Sequence, residues 1–290
     1  MKSTEIRKMA SRAIDELALA LDDGHSESLR KYLAMLARFT RYSIGNVILI
    51  GLQRPSATRV AGYRAWQQLG RQVREGERAI RILAPIVWRK RKERQQQEAR
   101  EGEAEHENAD SEELLAFRPC AVFDVSQTEG DPLAEFARVS GDPSECLPRL
   151  KALVSGRGIK LEYTNRIGPA QGASAGGEIS LREDMEPAEE FSTLVHELAH
   201  EMLHQDETER SKTVKETEAE AVAFVVCQAV GLECGTANSD YVQLYDGKKE
   251  TLLASLERIR STAGEIIEAV TPEPEQRQES QTQQEALAAA

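Results

Sequence analysis

The chain has 290 residues, of which 40% are hydrophobic and 30% charged, and its formal net charge at pH 7 is −12. This length is enough for two domains with separate cores. No apolar run approaches the roughly 20 residues of a membrane span, and the N-terminus has the pattern of an amphipathic helix, not of a signal peptide. We therefore predict a cytoplasmic protein with no membrane partner. The four cysteines show no Cys-x-x-Cys spacing, which argues against a zinc ribbon or a disulfide framework.

The N-terminal part is predicted to mix helices with short strands. Apolar spacing predicts helices over 1–23, 28–42 and 64–69, strands over 78–88 and 117–125, and a short strand or turn over 60–63. Residues 43–50 are either a buried helix or a strand, and 71–77 are predicted to form a charged turn. Residues 95–113 are almost without apolar side chains. Such a segment cannot bury enough surface to order itself, so we predict a disordered polar insert over about 89–116, between two paired strands of a first domain, 1–130.

The C-terminal part begins after a stretch broken up by Gly, Asp and Pro. We predict a linker over 131–144, a second domain over 145–270 and a disordered tail over 271–290. Helices are predicted over 147–155, 191–204, 215–227 and 241–270, and strands over 159–163 and 177–181, with a glycine-rich loop at 172–177. Both domains are predicted to be α+β.

Three of the five histidines fall within nine residues of the predicted helix 191–204. His196 and His200 are four residues apart, so their rings leave the same side of the helix, with Glu197 between them. Two neutral imidazoles suit two corners of a tetrahedral zinc site, while Glu197 stays off the metal and acts as general base on bound water. His204 is expected to orient its neighbours or to face water.

A second helix offers the missing ligand. Glu216 and Glu220 share one face of the predicted helix 215–227 with small alanines, which allow another helix to approach closely. We expect Glu216 to bind the metal and Glu220 to hold a ligand histidine in place; the reverse assignment stays open. Glu218 lies on a different face. The expected ion is Zn²⁺, with another divalent metal such as Mn²⁺ as the alternative.

Between Arg38 and Arg94 fourteen Lys and Arg residues stand against three acidic residues, although the whole chain is acidic. Arginines pair with phosphates, and aromatic rings can stack on exposed bases, so the segment is typical of single-stranded nucleic-acid binding. The alternative is that Phe39, Trp66 and Trp88 are core residues. The candidate DNA-binding residues are Arg38, Arg41, Tyr42, Asn46, Tyr63, Arg64, Trp66, Arg71 and Arg74.

Three segments carry a family resemblance: 42–47, 62–77 and 122–128. Together they resemble the N-terminal domain of ArdC-type antirestriction proteins, and the sequences at 196–200 and 216–221 resemble the metallopeptidase half of the same family. The second half is also similar to metallopeptidases of the ImmA/IrrE group. The resemblance implies a single-stranded DNA-binding domain joined to a zincin-like domain, carried on plasmids or other mobile elements, that protects incoming DNA from host restriction.

The leading hypothesis is therefore an antirestriction protein that binds single-stranded DNA and carries a zinc peptidase site acting on an unidentified protein substrate. One alternative is a DNA-binding shield in which the metal is structural. Another is a DNA-stimulated protease that acts on DNA-bound proteins. The substitution Glu197→Ala separates the first two, because it should keep the metal while abolishing hydrolysis.

Overall fold

The computed structural model describes residues 2–89, 112–130, 143, 145–205, 210–232, 244 and 248–271. Helices and strands are mixed along these residues, which confirms the predicted α+β class. No described helix combines the length and the apolar character needed to cross a membrane.

Four helices lie in the N-terminal half: α1 (Ser3–Asp22), α2 (Glu27–Leu36), α3 (Ile44–Gln53) and α4 (Tyr63–Gln68). The segment left open between helix and strand is thus the helix α3. The prediction that the second helix runs to residue 42 was wrong, because α2 ends at Leu36. Beyond it, the amide of Phe39 bonds to the carbonyl of Leu36, three residues back. This tighter turn brings the Phe39 ring, 3% exposed, into the core.

The main N-terminal sheet has the order β1-β4-β3 and is antiparallel. Its strands are β1 (Val60–Gly62), β3 (Ile80–Arg89) and β4 (Glu112–Asp124). The register of β3 and β4 runs from Ile80 opposite Val122 to Arg89 opposite Glu112. The predicted pairing is confirmed, and the strands extend into both ends of the insert predicted over 89–116. Residues 90–111 lie outside the described residues.

A second, two-stranded sheet pairs β2 (Arg71–Val73) with β5 (Thr128–Gly130). The charged turn predicted over 71–77 was wrong for its first three residues, because pairing with a strand more than fifty residues away decides their conformation. Gly130 has a φ of +130° and lies so close to Gly70 that a Cβ would collide with the Gly70 carbonyl oxygen. The predicted linker 131–144 lies outside the described residues, apart from Pro143.

The C-terminal half contains α5 (Cys146–Gly156), β6 (Lys160–Tyr163), β7 (Gly172–Ser174), β8 (Glu178–Leu181), α6 (Pro187–His204), α7 (Lys212–Val230) and α8 (Lys249–Val270). The sheet order is β6-β8-β7, with β6 parallel and β7 antiparallel to β8. The prediction of a loop at 172–174 was wrong, because these residues form the edge strand β7. The predicted final helix begins at Lys249. Residues 241–247 lie outside the described part of the chain except for Leu244, and so does the predicted tail after Thr271.

The two halves are packed together. One cluster of buried apolar residues runs from Ile6 in α1 to Val270 in α8. Polar contacts cross the same boundary: Nη1 of Arg260 on α8 donates to the carbonyl oxygen of Thr40 at 2.8 Å. The helix α8 therefore packs against α6 and α7 and also against the N-terminal helices α1 and α3.

Candidate functional site

Two helices bring three ligand-type side chains together. In α6 the Nε2 atoms of His196 and His200 are 3.1 Å apart. Oε2 of Glu216, on α7, lies 3.5 Å from Nε2 of His196 and 3.4 Å from Nε2 of His200. The three ligand atoms lie within 4.8 Å of one another, so this group could hold one metal ion.

The sequence of α7 allows this close approach. Ala219 and Ala223, which share the face of Glu216, are 0% and 1% exposed. The helix starts at Ser211, whose side chain accepts from the amide of Val214 at 3.3 Å. This N-cap fixes the first turn of α7, immediately before Glu216.

The two histidines are accessible without being fully exposed. The side chain of His196 is 27% exposed and that of His200 is 17% exposed, whereas that of Glu216 is 50% exposed. Burial lowers the pKa of His196, and the neighbouring His200 lowers it further, against the opposing effect of Glu216. The neutral imidazole required of a metal ligand is thus favoured at His196.

Glu220 lies one turn beyond Glu216 in α7 and is half-buried. The group formed by the two histidines includes Glu216 and not Glu220. The role expected for Glu220, holding a ligand histidine in place, stays a prediction.

Glu197 is buried next to this group, at 7% exposure. Burial is the largest effect on its carboxyl and raises its pKa, and the nearby carboxylates of Glu216 and Glu201 raise it further. The hydroxyl of Ser174 donates to the carboxylate and opposes this shift, as does His200. A carboxyl with a raised pKa is a better proton acceptor near neutral pH than an ordinary glutamate.

The edge strand β7 covers Glu197 closely. A Cβ on Gly172 would lie 2.8 Å from Cγ2 of Thr193 and 2.9 Å from both Cγ and Oε1 of Glu197. The turn after the strand is also tied to α6, because the amide of Gly177 donates to Oε2 of Glu201 at 2.7 Å. Sequence reasoning missed these residues, because a glycine-rich stretch has no periodicity that would reveal a strand.

Most of the predicted DNA-binding arginines are bonded within the protein. Arg38 donates to the carbonyl of Ala57, and Arg74 donates to the carbonyl of Ser126 and to the Glu77 carboxylate. Arg71 donates to the hydroxyl and carbonyl of Thr128 and to the carbonyl of Gly130. Arg41 is 85% exposed and lies 3.1 Å from Glu268 on α8. These contacts occupy guanidinium N–H groups that the sequence count assigned to a binding surface.

Two of the predicted contacts are structural. Trp66 is 0% exposed and its Nε1 donates to the carbonyl of Phe123, so the prediction that its ring stacks on a base is wrong. Both amide atoms of Asn46 bond to the backbone of Leu83, at 2.8 and 2.9 Å, and pin α3 to β3. Tyr42 is half-buried, and its hydroxyl donates to the carbonyl of Val60 at 3.2 Å.

Tyr63 and Arg64 remain at the surface. Tyr63 is 43% exposed on α4, and its hydroxyl accepts from the side-chain amide of Gln72. Arg64 follows it and is exposed. Next to them is a cleft of about 420 Å³ lined by Gln67, Gly70, Arg71, Gln72, Glu129 and Gly130. This face combines an aromatic ring, a cation and side-chain amides.

Comparison with known proteins agrees with this architecture. Residues 8–123 match the family model described as the N-terminal domain of anti-restriction factor ArdC. The chain is 25% identical over 285 residues to the uncharacterized protein pXO2-81 of Bacillus anthracis, an alignment that covers 84% of this chain. The chain spans about half the length of that relative, 48% of which is covered.

Two solved structures of the antirestriction ArdC protein from the R388 plasmid are also similar. The metal-free structure aligns with a TM-score of 0.51 and 16% identity, over 90% of this chain and 97% of that one. The Mn(II)-bound structure aligns with a TM-score of 0.52 and 17% identity, over 90% and 98%. At this identity the likeness shows the fold. The chain therefore has the fold of the R388 ArdC protein, and its residues 8–123 are similar to the N-terminal domain of anti-restriction factor ArdC.

Proposed function

We propose that this protein is an antirestriction factor that binds single-stranded DNA through its N-terminal half and holds a divalent metal ion in a peptidase-like site in its C-terminal half. The convergence of His196, His200 and Glu216 beside a buried Glu197 carries the proposal. The match of residues 8–123 to the N-terminal domain of anti-restriction factor ArdC supports the antirestriction role.

The three ligand atoms fit a metal ion. A tetrahedral zinc site with bonds of about 2.0 to 2.1 Å has edges of about 3.3 to 3.4 Å between its ligand atoms. The three separations between His196, His200 and Glu216 are 3.1, 3.4 and 3.5 Å. The ligand set suits Zn²⁺, and the Mn(II)-bound structure of the R388 ArdC protein makes Mn²⁺ the second metal to test. Such an ion would polarise a carbonyl group and lower the pKa of water.

The residues around the metal group have separate tasks in this proposal. Glu197 accepts a proton on its carboxylate, and the hydroxyl of Ser174 holds that carboxylate in place. The strand β7 lies at the edge of its sheet, so an extended peptide can pair with it while its scissile carbonyl faces Glu197. This arrangement favours hydrolysis of a peptide bond as the reaction.

The surface of α4 is the proposed DNA interface. Tyr63 offers a ring for stacking, Arg64 a cation for phosphate, and the amides of Gln67 and Gln72 can bond to base edges in the adjacent cleft. Stacking on an aromatic side chain contributes about 1 to 3 kcal/mol per base. Loss of this ring should therefore weaken binding by roughly 5- to 160-fold.

Metal analysis tests the catalytic half. The purified protein should bind about one equivalent of Zn²⁺ or Mn²⁺, and Glu197→Gln should keep the metal while losing hydrolysis of fluorescein-labelled casein. In a restricting host, protection of unmodified incoming plasmid DNA by the same variant shows whether hydrolysis is needed for antirestriction. Wild-type protein without stoichiometric metal would contradict the proposed site.

Fluorescence anisotropy with a labelled oligonucleotide tests the DNA half. Tyr63→Ala and Arg64→Ala should weaken binding, whereas Arg166→Ala removes the same charge from an exposed position in the C-terminal half and should not. Affinity should fall as salt is raised, because phosphate contacts release counterions. Affinity that does not change with salt, or equal effects of Arg64→Ala and Arg166→Ala, would contradict the proposed interface.

A further inference from the structure

His204 is the third histidine of α6 and lies outside the metal group, at 9% exposure. Its Nε2 is 3.1 Å from the carbonyl oxygen of Lys215, the residue immediately before Glu216. Its ring also lies beside that of His200, with the centroids 5.5 Å apart and the planes at 56°. One buried side chain therefore contacts a histidine of the metal group and the helical turn that carries the carboxylate of the group.

Two partners determine the tautomer of this ring. A carbonyl oxygen can only accept, so Nε2 of His204 carries the proton and donates it to Lys215. A guanidinium can only donate, so Nδ1, which lies 3.3 Å from Nη2 of Arg258, is the acceptor. Arg258 is itself fixed, because the same Nη2 donates to the carbonyl of Leu203 at 2.6 Å. The ring is held at both nitrogens, in one orientation.

A buried ionic cluster lies next to His204 and meets it through Glu218 and Arg258. Glu218 is 0% exposed on α7, and its Oε1 lies 2.6 Å from Nη1 of Arg210. Its Oε2 lies 3.5 Å from Nε of Arg258 and 3.7 Å from Nε2 of His204. Nη1 of Arg210 also donates to the hydroxyl of Ser255 on α8 at 3.0 Å. Buried ion pairs contribute little net stability, but their fixed geometry can specify how helices are placed.

We propose that His204 is a positioning residue for the metal centre, an inference that rests on the proposed metal-binding function. Its hydrogen bond to the Lys215 carbonyl ties the first turns of α7 to α6 and so places Glu216 opposite His196 and His200. His204 does not bind the ion. His204 influences metal affinity by setting the distance between α6 and α7.

Calorimetric titration of the full chain with Mn²⁺ tests this role. Removing an outer contact of a metal site typically lowers affinity by about 10- to 100-fold, so His204→Leu should bind Mn²⁺ at least about tenfold more weakly than wild type. His204→Gln places an amide N–H close to the position of Nε2 and should stay within about threefold. Ser255→Ala is the matched control, because it alters the same buried cluster without touching the bond to Lys215, and it should also stay within about threefold.

The outcomes are distinct. Wild-type affinity in His204→Leu, or equal weakening by His204→Gln and His204→Leu, would overturn the inference while leaving the proposed metal site intact. Wild-type protein that binds neither Mn²⁺ nor Zn²⁺ would overturn both. If circular dichroism shows that His204→Leu does not fold, His204→Asn takes its place, because its amide is too short to reach Lys215, and the same tenfold loss is expected.

Discussion

Replacing Gly172 by alanine should separate catalysis from metal binding. The new Cβ would meet Cγ2 of Thr193 at 2.8 Å and Glu197 at 2.9 Å, so these atoms must move by about 0.6 Å to reach ordinary contact distance. Overpacking of this kind costs about 1 to 3 kcal/mol, partly offset by about 0.4 to 1 kcal/mol from the reduced freedom of the unfolded chain. The expected net loss of stability is about 1 to 2 kcal/mol.

The effect on catalysis should be larger than the effect on stability. A displacement approaching 1 Å in a catalytic group can cost about 100-fold in rate, and Glu197 is the group that must move. Metal affinity should be unchanged, because Glu197 is not among the three side chains proposed to bind the metal. We therefore expect Gly172→Ala to bind Mn²⁺ like wild type while hydrolysing labelled casein about 100-fold more slowly.

Urea denaturation, calorimetric metal titration and casein hydrolysis measure the three quantities. Gly156→Ala is the matched control, because a Cβ at this position, the last residue of α5, has no atom within 4 Å. It should leave hydrolysis unchanged and stability equal or slightly higher. A Gly172→Ala variant that folds, binds metal and hydrolyses casein at the wild-type rate would refute the idea that β7 holds Glu197 in place.

Three further predictions concern the carboxylates. Glu197→Gln should raise the free energy of unfolding of the metal-free protein at pH 7, because burial raises the pKa of Glu197 and its ionised form opposes folding above that pKa; urea titration at pH 7 and pH 5 should show the difference shrinking as pH falls. Glu216→Ala should abolish stoichiometric metal binding, measured by elemental analysis, whereas Glu220→Ala should retain it; the reverse result would exchange their roles. Asp124→Ala should destabilise the protein by about 2 to 4 kcal/mol, because its buried carboxylate accepts from the amides of Thr58 and Ser126. Burial opposes ionisation of Asp124, but its hydrogen bonds outweigh burial and lower its pKa. The stability that the ionised carboxylate contributes should therefore be lost as pH falls through that lowered pKa, and urea titration at pH 7 and pH 3 measures the loss.

The histidine pair of the metal group could be predicted because its geometry is local. Spacing of four residues places His196 and His200 on one side of any helix, and the small residues around Glu216 indicate that a second helix packs closely. The strand β7 could not be predicted in the same way. Its conformation depends on pairing with β8, and its contact with Glu197 depends on Gly172 lacking a side chain.

The basic segment shows a different limit. Counting Arg and Lys gives the charge of a segment but not its availability, and Arg38, Arg71 and Arg74 donate to backbone carbonyls of neighbouring elements. An aromatic residue such as Trp66 is equally consistent with a stacking surface and with a core until the neighbouring strand is known. The exposure of the side chain decides between these two roles: Trp66 is buried in the core, whereas Tyr63 is exposed and its ring is available for stacking.

The helix α6 presents two adjacent rows of polar side chains at four-residue spacing. His196, His200 and His204 face α7, where they meet Glu216 and the carbonyl before it. Glu197, one residue along, belongs to the second row and faces the edge strand. The proposed metal ligands and the proposed general base are thus supported by different parts of the fold.

Because α7 supports the histidines and β7 supports Glu197, substitutions in the two supports should affect metal binding and hydrolysis independently. Substitutions that share no partner usually combine additively, within about 0.3 to 0.5 kcal/mol. The double variant Gly172→Ala with His204→Leu should therefore bind Mn²⁺ as weakly as His204→Leu alone, within about twofold, and its hydrolysis rate at saturating metal should match that of Gly172→Ala alone. Calorimetry and casein hydrolysis are measured on wild type, the two single variants and the double variant, which together form a double-mutant cycle. A double variant that binds metal much more weakly than His204→Leu would mean that β7 also positions the histidines, since strain at Glu197 would then pass along α6 to both rows.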